Sequence, residues 1–106
     1  MKKILWLGLF ALILCIASCS KKREGKPRVL VFSKTAGFVH SSIPTGVAAI
    51  QKLGAENGFD VDTTKNADMF NDDSLKNYAA VIFMSTTGDV LNNKQEIAFE
   101  RYIQAG

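Results

Sequence analysis

Two short apolar runs, Val29-Leu30-Val31-Phe32 and Ala79-Ala80-Val81-Ile82-Phe83-Met84, constrain the fold of this chain more than any other feature. Neither alternates with polar residues, so a strand formed by either must be covered on both faces, as strands of a parallel sheet are. Each run gives way to a polar loop and then to a helix signal. After Phe32, the loop Ser33–Ser42 carries Ser33, Lys34, Thr35, His40, Ser41 and Ser42 around Gly37. Ser41 or Ser42 is placed to cap a helix with Pro44 in its first turn and Ile43, Val47, Ile50 and Leu53 at helical spacing, until Asn57-Gly58 stops it. After Met84, Ser85-Thr86-Thr87-Gly88-Asp89 forms a second polar loop. Asn93 with Glu96 then reads as a capping box, Ile97, Phe99, Tyr102 and Ile103 as an apolar stripe, and Gly106 as the C-cap.

Between these two units, Phe59 to Thr63 alternates apolar and polar, the pattern of a half-covered edge strand. Residues 65–73 are polar and irregular, with Met69 and Phe70 expected to turn inward, and a short helix around Asp73 to Asn77 is held down by Leu75 and Tyr78. Strand and helix alternating in this way predict an α/β fold with a parallel sheet and right-handed crossovers. Three strands are fewer than the roughly five of a doubly wound domain. The expectation is therefore the N-terminal part of such a domain, marginally stable, with the outer edge of Val81 to Phe83 exposed. If the strand order is 2-1-3, the chain changes sides between the first strand and the Ala80 to Met84 strand, and a ligand crevice opens at their carboxyl ends. The two richest polar loops fall there.

The N-terminus reads as a separate unit. Lys2 and Lys3 precede an apolar stretch from Ile4 to Ala17, and Ile16-Ala17-Ser18-Cys19 closes it with small residues before a cysteine. The stretch is shorter than the roughly 20 residues a membrane span requires. The ending resembles a bacterial lipobox, which implies that residues 1–18 are a signal peptide and that Cys19 is acylated. The protein would then be anchored in the bacterial cell envelope, facing the periplasm or the exterior. Cys15 would leave with the signal, so neither cysteine serves the domain. Residues 19–27, the lipidated cysteine and a polar tether, have no apolar side chain to join a core and read as a solvated spacer whose basic run can also touch anionic headgroups. The formal charge of +3 is concentrated in this region. From Arg28 onward seven Lys and Arg face nine Asp and Glu, a net of −2. That balance excludes a nucleic-acid-binding face, because no basic surface is left to neutralise phosphates.

Several loop residues are candidates for chemistry. His40, the only histidine, is suited to proton transfer, hydrogen bonding or metal ligation near neutral pH, or equally to a surface or capping role. With Asp89 it forms the one visible acid–base candidate, although Asp89 after Gly88 also fits an Asx turn. Lys34 can hold an anionic or carbonyl group or be a solvated cation, and Thr35, Ser42, Thr86 and Thr87 offer hydroxyls. Neither G-x-G-x-x-G, a P-loop, a flavodoxin-type phosphate loop nor G-x-S-x-G is present. Phosphate-rich cofactors are disfavoured, and the residues identify no other cofactor.

The stretches Lys34 to Ile43, of the form K-T-x-G-F-x-H-x-S-I, and Ser85 to Leu91, S-T-T-G-D-V-L, closely resemble the trehalose-utilisation (ThuA-like) family, and the resemblance covers Arg28 to Gly106. It implies a class I glutamine-amidotransferase-like, flavodoxin-like parallel sheet with helices on both faces. It also implies a role in the metabolism of trehalose or related, including oxidised, disaccharides. Family members often carry Arg where this chain has Val39 and Asp where it has Ser41, which alters the charge beside His40. The family pattern continues beyond Gly106 with a Gly-rich strand and a Gly-x-His motif. Glutaminases of this fold use a cysteine nucleophile, and residues 28–106 contain none. The leading expectation is a lipid-anchored domain that binds a sugar or sugar derivative and transforms it; the alternatives are a non-catalytic carbohydrate-binding or interaction lipoprotein, or a fragment with no activity of its own.

Overall fold

The structure is a computed structural model that describes residues 25–106. The expected signal peptide and the expected acylation site at Cys19 lie outside the described residues. The first strand, β1 (Arg28–Phe32), is followed by α1 (Ile43–Asn57), β2 (Asp60–Thr64), a 3-10 turn (Ala67–Met69), α2 (Asp72–Leu75), β3 (Ala80–Phe83) and α3 (Asn93–Gln104). The three strands form one parallel sheet in the order β2-β1-β3. Arg28 to Phe32 pair in register with Asp60 to Thr64 on one side, and Val29 to Phe32 with Ala80 to Phe83 on the other. This is the expected α/β architecture and strand order. No helix among the described residues is long and apolar enough to cross a membrane.

The uninterrupted apolar run of β1 explains its central place. Leu30, Val31 and Phe32 are fully buried, and because successive side chains point to opposite faces, the strand supplies core to both. Leu30 and Phe32 join Ala67, Phe70, Leu75 and Tyr78 on the face covered by α2 and α3. The opposite face carries α1. A Cβ placed on Gly54 of that helix would stand 2.6 Å from the Phe59 carbonyl oxygen and 2.8 Å from Val61 Cγ2, so the helix reaches the sheet only because position 54 is glycine. Gly54 takes the buried place expected for Leu53, which is exposed. On the α2–α3 face the aromatic rings are contiguous. Phe32 meets Phe70 at 4.7 Å and Phe83 at 5.6 Å, and Phe99 meets Phe70 at 5.5 Å and Phe83 at 5.3 Å, all four pairs edge-to-face. β3 lies at one margin of the described sheet, and Phe83 is 39% exposed there, the exposed apolar edge expected for a three-stranded sheet.

Several boundaries differ from the expectation, each for a local reason. β2 starts at Asp60 and not Phe59, because the Phe59 N–H is drawn back to the Gly54 carbonyl at 3.1 Å as part of the helix stop. Gly58, at φ +75°, makes that stop as Asn57-Gly58 predicts. The short α2 begins at Asp72, since the Asn71 side chain accepts from the Ser74 N–H at 2.8 Å. At α1, Ser42 holds the N-cap position but adopts helical dihedrals and makes no side-chain cap. One of the amides such a cap serves is missing, because Pro44 has none.

The capping box of α3 is formed one residue earlier than expected. The Asn92 side chain accepts from the Gln95 N–H and the Gln95 side chain accepts from the Asn92 N–H, both at 2.9 Å. The expected apolar stripe is divided accordingly: Ala98 is buried and Phe99 and Tyr102 pack on the core, whereas Ile97 and Ile103 are 51% and 59% exposed. The C-cap is Ala105, with Gly106 following at φ +81°. Arg101 grips Asp72 with two nitrogens, its closest approach 3.0 Å, and so ties α3 to α2; both partners are exposed, so the pair contributes under about 1 kcal/mol.

One part-buried polar contact spans the sheet. The Tyr78 hydroxyl donates to Asp62 Oδ2 at 2.8 Å, and Arg28 approaches the same oxygen at 3.4 Å. Burial, and then the hydrogen bond and negative charge of Asp62, push the Tyr78 phenol up to about 12 from 10.0. A raised phenol favours the neutral form in the folded state. Its contribution is therefore complete below the unfolded value and is lost as pH rises from about 10 through about 12. Stability is expected to decline across this window, and Tyr78→Phe should flatten the decline. An unchanged slope in Tyr78→Phe would assign alkaline unfolding to other groups.

Candidate functional site

The polar loops Ser33–Ser42 and Ser85–Asp89 leave the carboxyl ends of β1 and β3, which are adjacent strands. The helix after β1 lies on one face of the sheet, and α2 and α3 lie on the other. The switch point is therefore between β1 and β3, where a parallel sheet opens its crevice.

The loops are pinned to each other. A parallel bridge joins Thr35 to Thr87 beyond the ends of the strands. The Thr87 carbonyl accepts from the Ala36 N–H at 2.8 Å and the Gly37 N–H at 3.3 Å, while Thr87 Oγ1 donates to the Phe38 carbonyl at 2.6 Å. Gly88 is required twice over. Its φ is +73°, and a Cβ would sit 3.1 Å from Ala36 Cβ and 3.2 Å from the Gly37 nitrogen. Ser85, at φ +50°, is the one non-glycine residue with positive φ among the described residues. That left-handed conformation costs about 1–2 kcal/mol and turns the chain out of β3 into the loop.

The sequence-predicted residues fall into three groups. Thr35 and Thr87 form the seam, and the Thr87 hydroxyl is committed to holding Phe38. The half-buried Thr86 lies beside it. Lys34 and Asp89 line one polar cleft of about 580 Å³ together with Lys65, Asn66, Asp68 and Asn92. His40 and Ser42 are exposed at the approach to α1, where the His40 carbonyl accepts from the Ile43 N–H at 3.3 Å. The imidazole packs edge-to-face with the Phe38 ring at 5.0 Å. His40 and Asp89 share neither a hydrogen bond nor an ion pair among the described residues. No group of three His, Cys, Asp or Glu side chains there is placed to hold a metal ion.

Lys65, Asn66 and Asp68 were not among the predicted site residues. They follow β2, whose carboxyl end points to the same edge in a parallel sheet, and that rule was the available signal. The segment is locally ordered: the Asn66 side chain accepts from the Asp68 N–H at 3.0 Å, and Gln95 reaches Asp68 Oδ1 at 3.4 Å. A second cleft of about 460 Å³ runs along the α1 side of the same end, over the buried Ser33. A third, of about 450 Å³, opens between α2 and α3 around Leu75, Tyr78, Arg101 and Tyr102. It lies away from both polar loops and has no relation to the switch point.

A parallel sheet in 2-1-3 order, with helices on both faces and paired polar loops at the switch point, defines a flavodoxin-like α/β domain. The sequence profile of ThuA, described as Trehalose utilisation, matches residues 28–106, and the chain belongs to this family. The match takes in every described strand and helix and gives the domain a carbohydrate-related role at the level of the family. No curated protein and no solved structure matches the chain.

Proposed function

We propose that this ThuA-family domain binds a sugar or sugar derivative, trehalose or an oxidised disaccharide, in the crevice between Lys34 to Ser42 and Ser85 to Asp89. The reading is carried by the pinning of the two polar loops at the sheet's switch point in a chain of the trehalose-utilisation family. Donors and acceptors of both loops, together with the polar cleft of Lys34 and Asp89, suit a polyhydroxylated ligand. His40 is the proposed reader of a hydroxyl and, if the ligand is transformed, the group that moves a proton, with Asp89 as its acid–base counterpart. A purely binding role is the second reading, favoured by the lack of a direct contact between these two side chains.

Two substitutions separate the readings. His40→Ala should weaken binding or turnover by about 1 kcal/mol or more, roughly fivefold. His40→Gln should keep much of the affinity in a binder, whereas an enzyme using the imidazole as acid or base should bind but not turn over. Calorimetry and a sugar-conversion assay report the two quantities, and unchanged values in both variants would remove His40 from the site.

The anchor is part of the same proposal: residues 1–18 as a lipoprotein signal, Cys19 acylated, and the domain held in the bacterial envelope by the spacer that ends at Pro27. The order of charged, apolar and small-residue regions before Cys19 supports it. Fatty-acid labelling is expected in the wild type and absent in Cys19→Ser; equal labelling of the two would contradict the anchor.

A further inference from the structure

We propose that Phe38 is a stacking platform for one pyranose ring of the ligand, with His40 beside it reading that ring's hydroxyls. The inference rests on the sugar-binding reading and adds to it a residue and a specificity. Phe38 is 72% exposed, the highest value of any large apolar side chain among the described residues. Phe32, Phe70, Phe83 and Phe99 all belong to the aromatic cluster on the sheet, whereas the aromatic contact of Phe38 is with the His40 ring. Its ring is therefore not explained by the core.

The residue is nonetheless held in place. Its carbonyl accepts from Thr87 Oγ1 at 2.6 Å, and the two residues before it are bonded to the Thr87 carbonyl. An apolar ring held on a fixed polar loop at the crevice edge offers its face to a covering ligand with little further ordering cost, and covering it removes apolar surface from water. The T-shaped contact with His40, at 5.0 Å and 76°, occupies at most one face of the ring.

A pyranose with equatorial hydroxyls presents a face of axial C–H bonds. These bonds carry partial positive charge and meet the negative face of an aromatic ring favourably, and water leaves both apolar surfaces. The hydroxyls at the ring's edge then project sideways, where an imidazole that both donates and accepts can bond them. A sugar with an axial hydroxyl on the stacked face would lift off the platform. The platform thus selects glucose-configured rings over their axial epimers.

The test titrates trehalose, and its singly oxidised keto derivative, into the full chain and into Phe38→Leu and Phe38→Trp. Calorimetry gives affinity, and proton spectra of the sugar report ring-current shifts. In the wild type the sugar C–H protons are expected to move upfield on binding. Phe38→Leu should abolish that shift and bind roughly fivefold to tenfold more weakly, while Phe38→Trp keeps both. Thermal unfolding of both variants should match the wild type, since the side chain is exposed. Wild-type affinity in Phe38→Leu, or an upfield shift that survives the substitution, would overturn the platform and leave the sugar crevice standing. Failure of the wild type to bind either sugar would overturn both.

Discussion

Phe32→Ala is expected to remove about 3–5 kcal/mol of folding stability, the largest single loss in this domain. The side chain is fully buried at the end of the central strand and touches the rings of Phe70 and Phe83 at 4.7 and 5.6 Å. Truncation would leave a cavity where the α2–α3 face meets the sheet, and the surrounding rings cannot collapse into it without breaking their mutual edge-to-face contacts. Domains of this kind have only about 5–15 kcal/mol in total, so the variant should unfold at much lower urea or not fold at all. Phe38→Ala, the same chemical change at an exposed position, should shift the midpoint by less than about 0.5 kcal/mol. A loss below about 1 kcal/mol for Phe32→Ala would mean that the aromatic cluster is not the core.

Gly88→Ala is expected to act on the site and much less on the sheet. The new methyl would crowd Ala36 Cβ at 3.1 Å and the Gly37 nitrogen at 3.2 Å, in a residue held at φ +73°. Left-handed backbone alone costs an alanine about 1–2 kcal/mol. The cheapest relief is to part the loops, giving up the bonds from Ala36 and Gly37 to Thr87. Amide exchange at Ala36 and Gly37 should therefore accelerate while that at Leu30 and Val31 stays slow. Sugar affinity should fall by about tenfold or more, since a crevice wall that must be reassembled on binding subtracts its ordering cost from the affinity. Full affinity in Gly88→Ala would show that the seam does not shape the site.

The parallel sheet and its 2-1-3 order were legible because uninterrupted β-branched runs leave a strand nowhere to go but between two helical layers. The candidate crevice is placed by that order together with the density of hydroxyls in two loops. Other features depended on contacts between segments distant in sequence. Asn92 and Asn93 are both competent caps, and only the packing of Ala98, Phe99 and Tyr102 decides that Asn92 serves. The same choice leaves Ile97 and Ile103 outside the core. Gly54 was not recognised as the contact point of α1, because a helical glycine carries no apolar signal although its missing Cβ lets the Phe59 carbonyl approach. Lys65 and Asp68 join the cleft with Lys34 and Asp89 through the sheet register alone. Phe38 stood in the sequence beside Val39 as an apolar residue in a polar loop, and its exposure is visible only in three dimensions.

Backbone-amide NMR of the isotopically labelled chain, titrated with trehalose and with its keto derivative, tests the sugar crevice most directly. Shifts concentrated at Thr35, Gly37, His40, Thr87, Gly88 and Asp89, saturating with ligand, are the predicted result. No saturable shift with either sugar, or shifts confined to the opposite end around Tyr78, Arg101 and Tyr102, would contradict it.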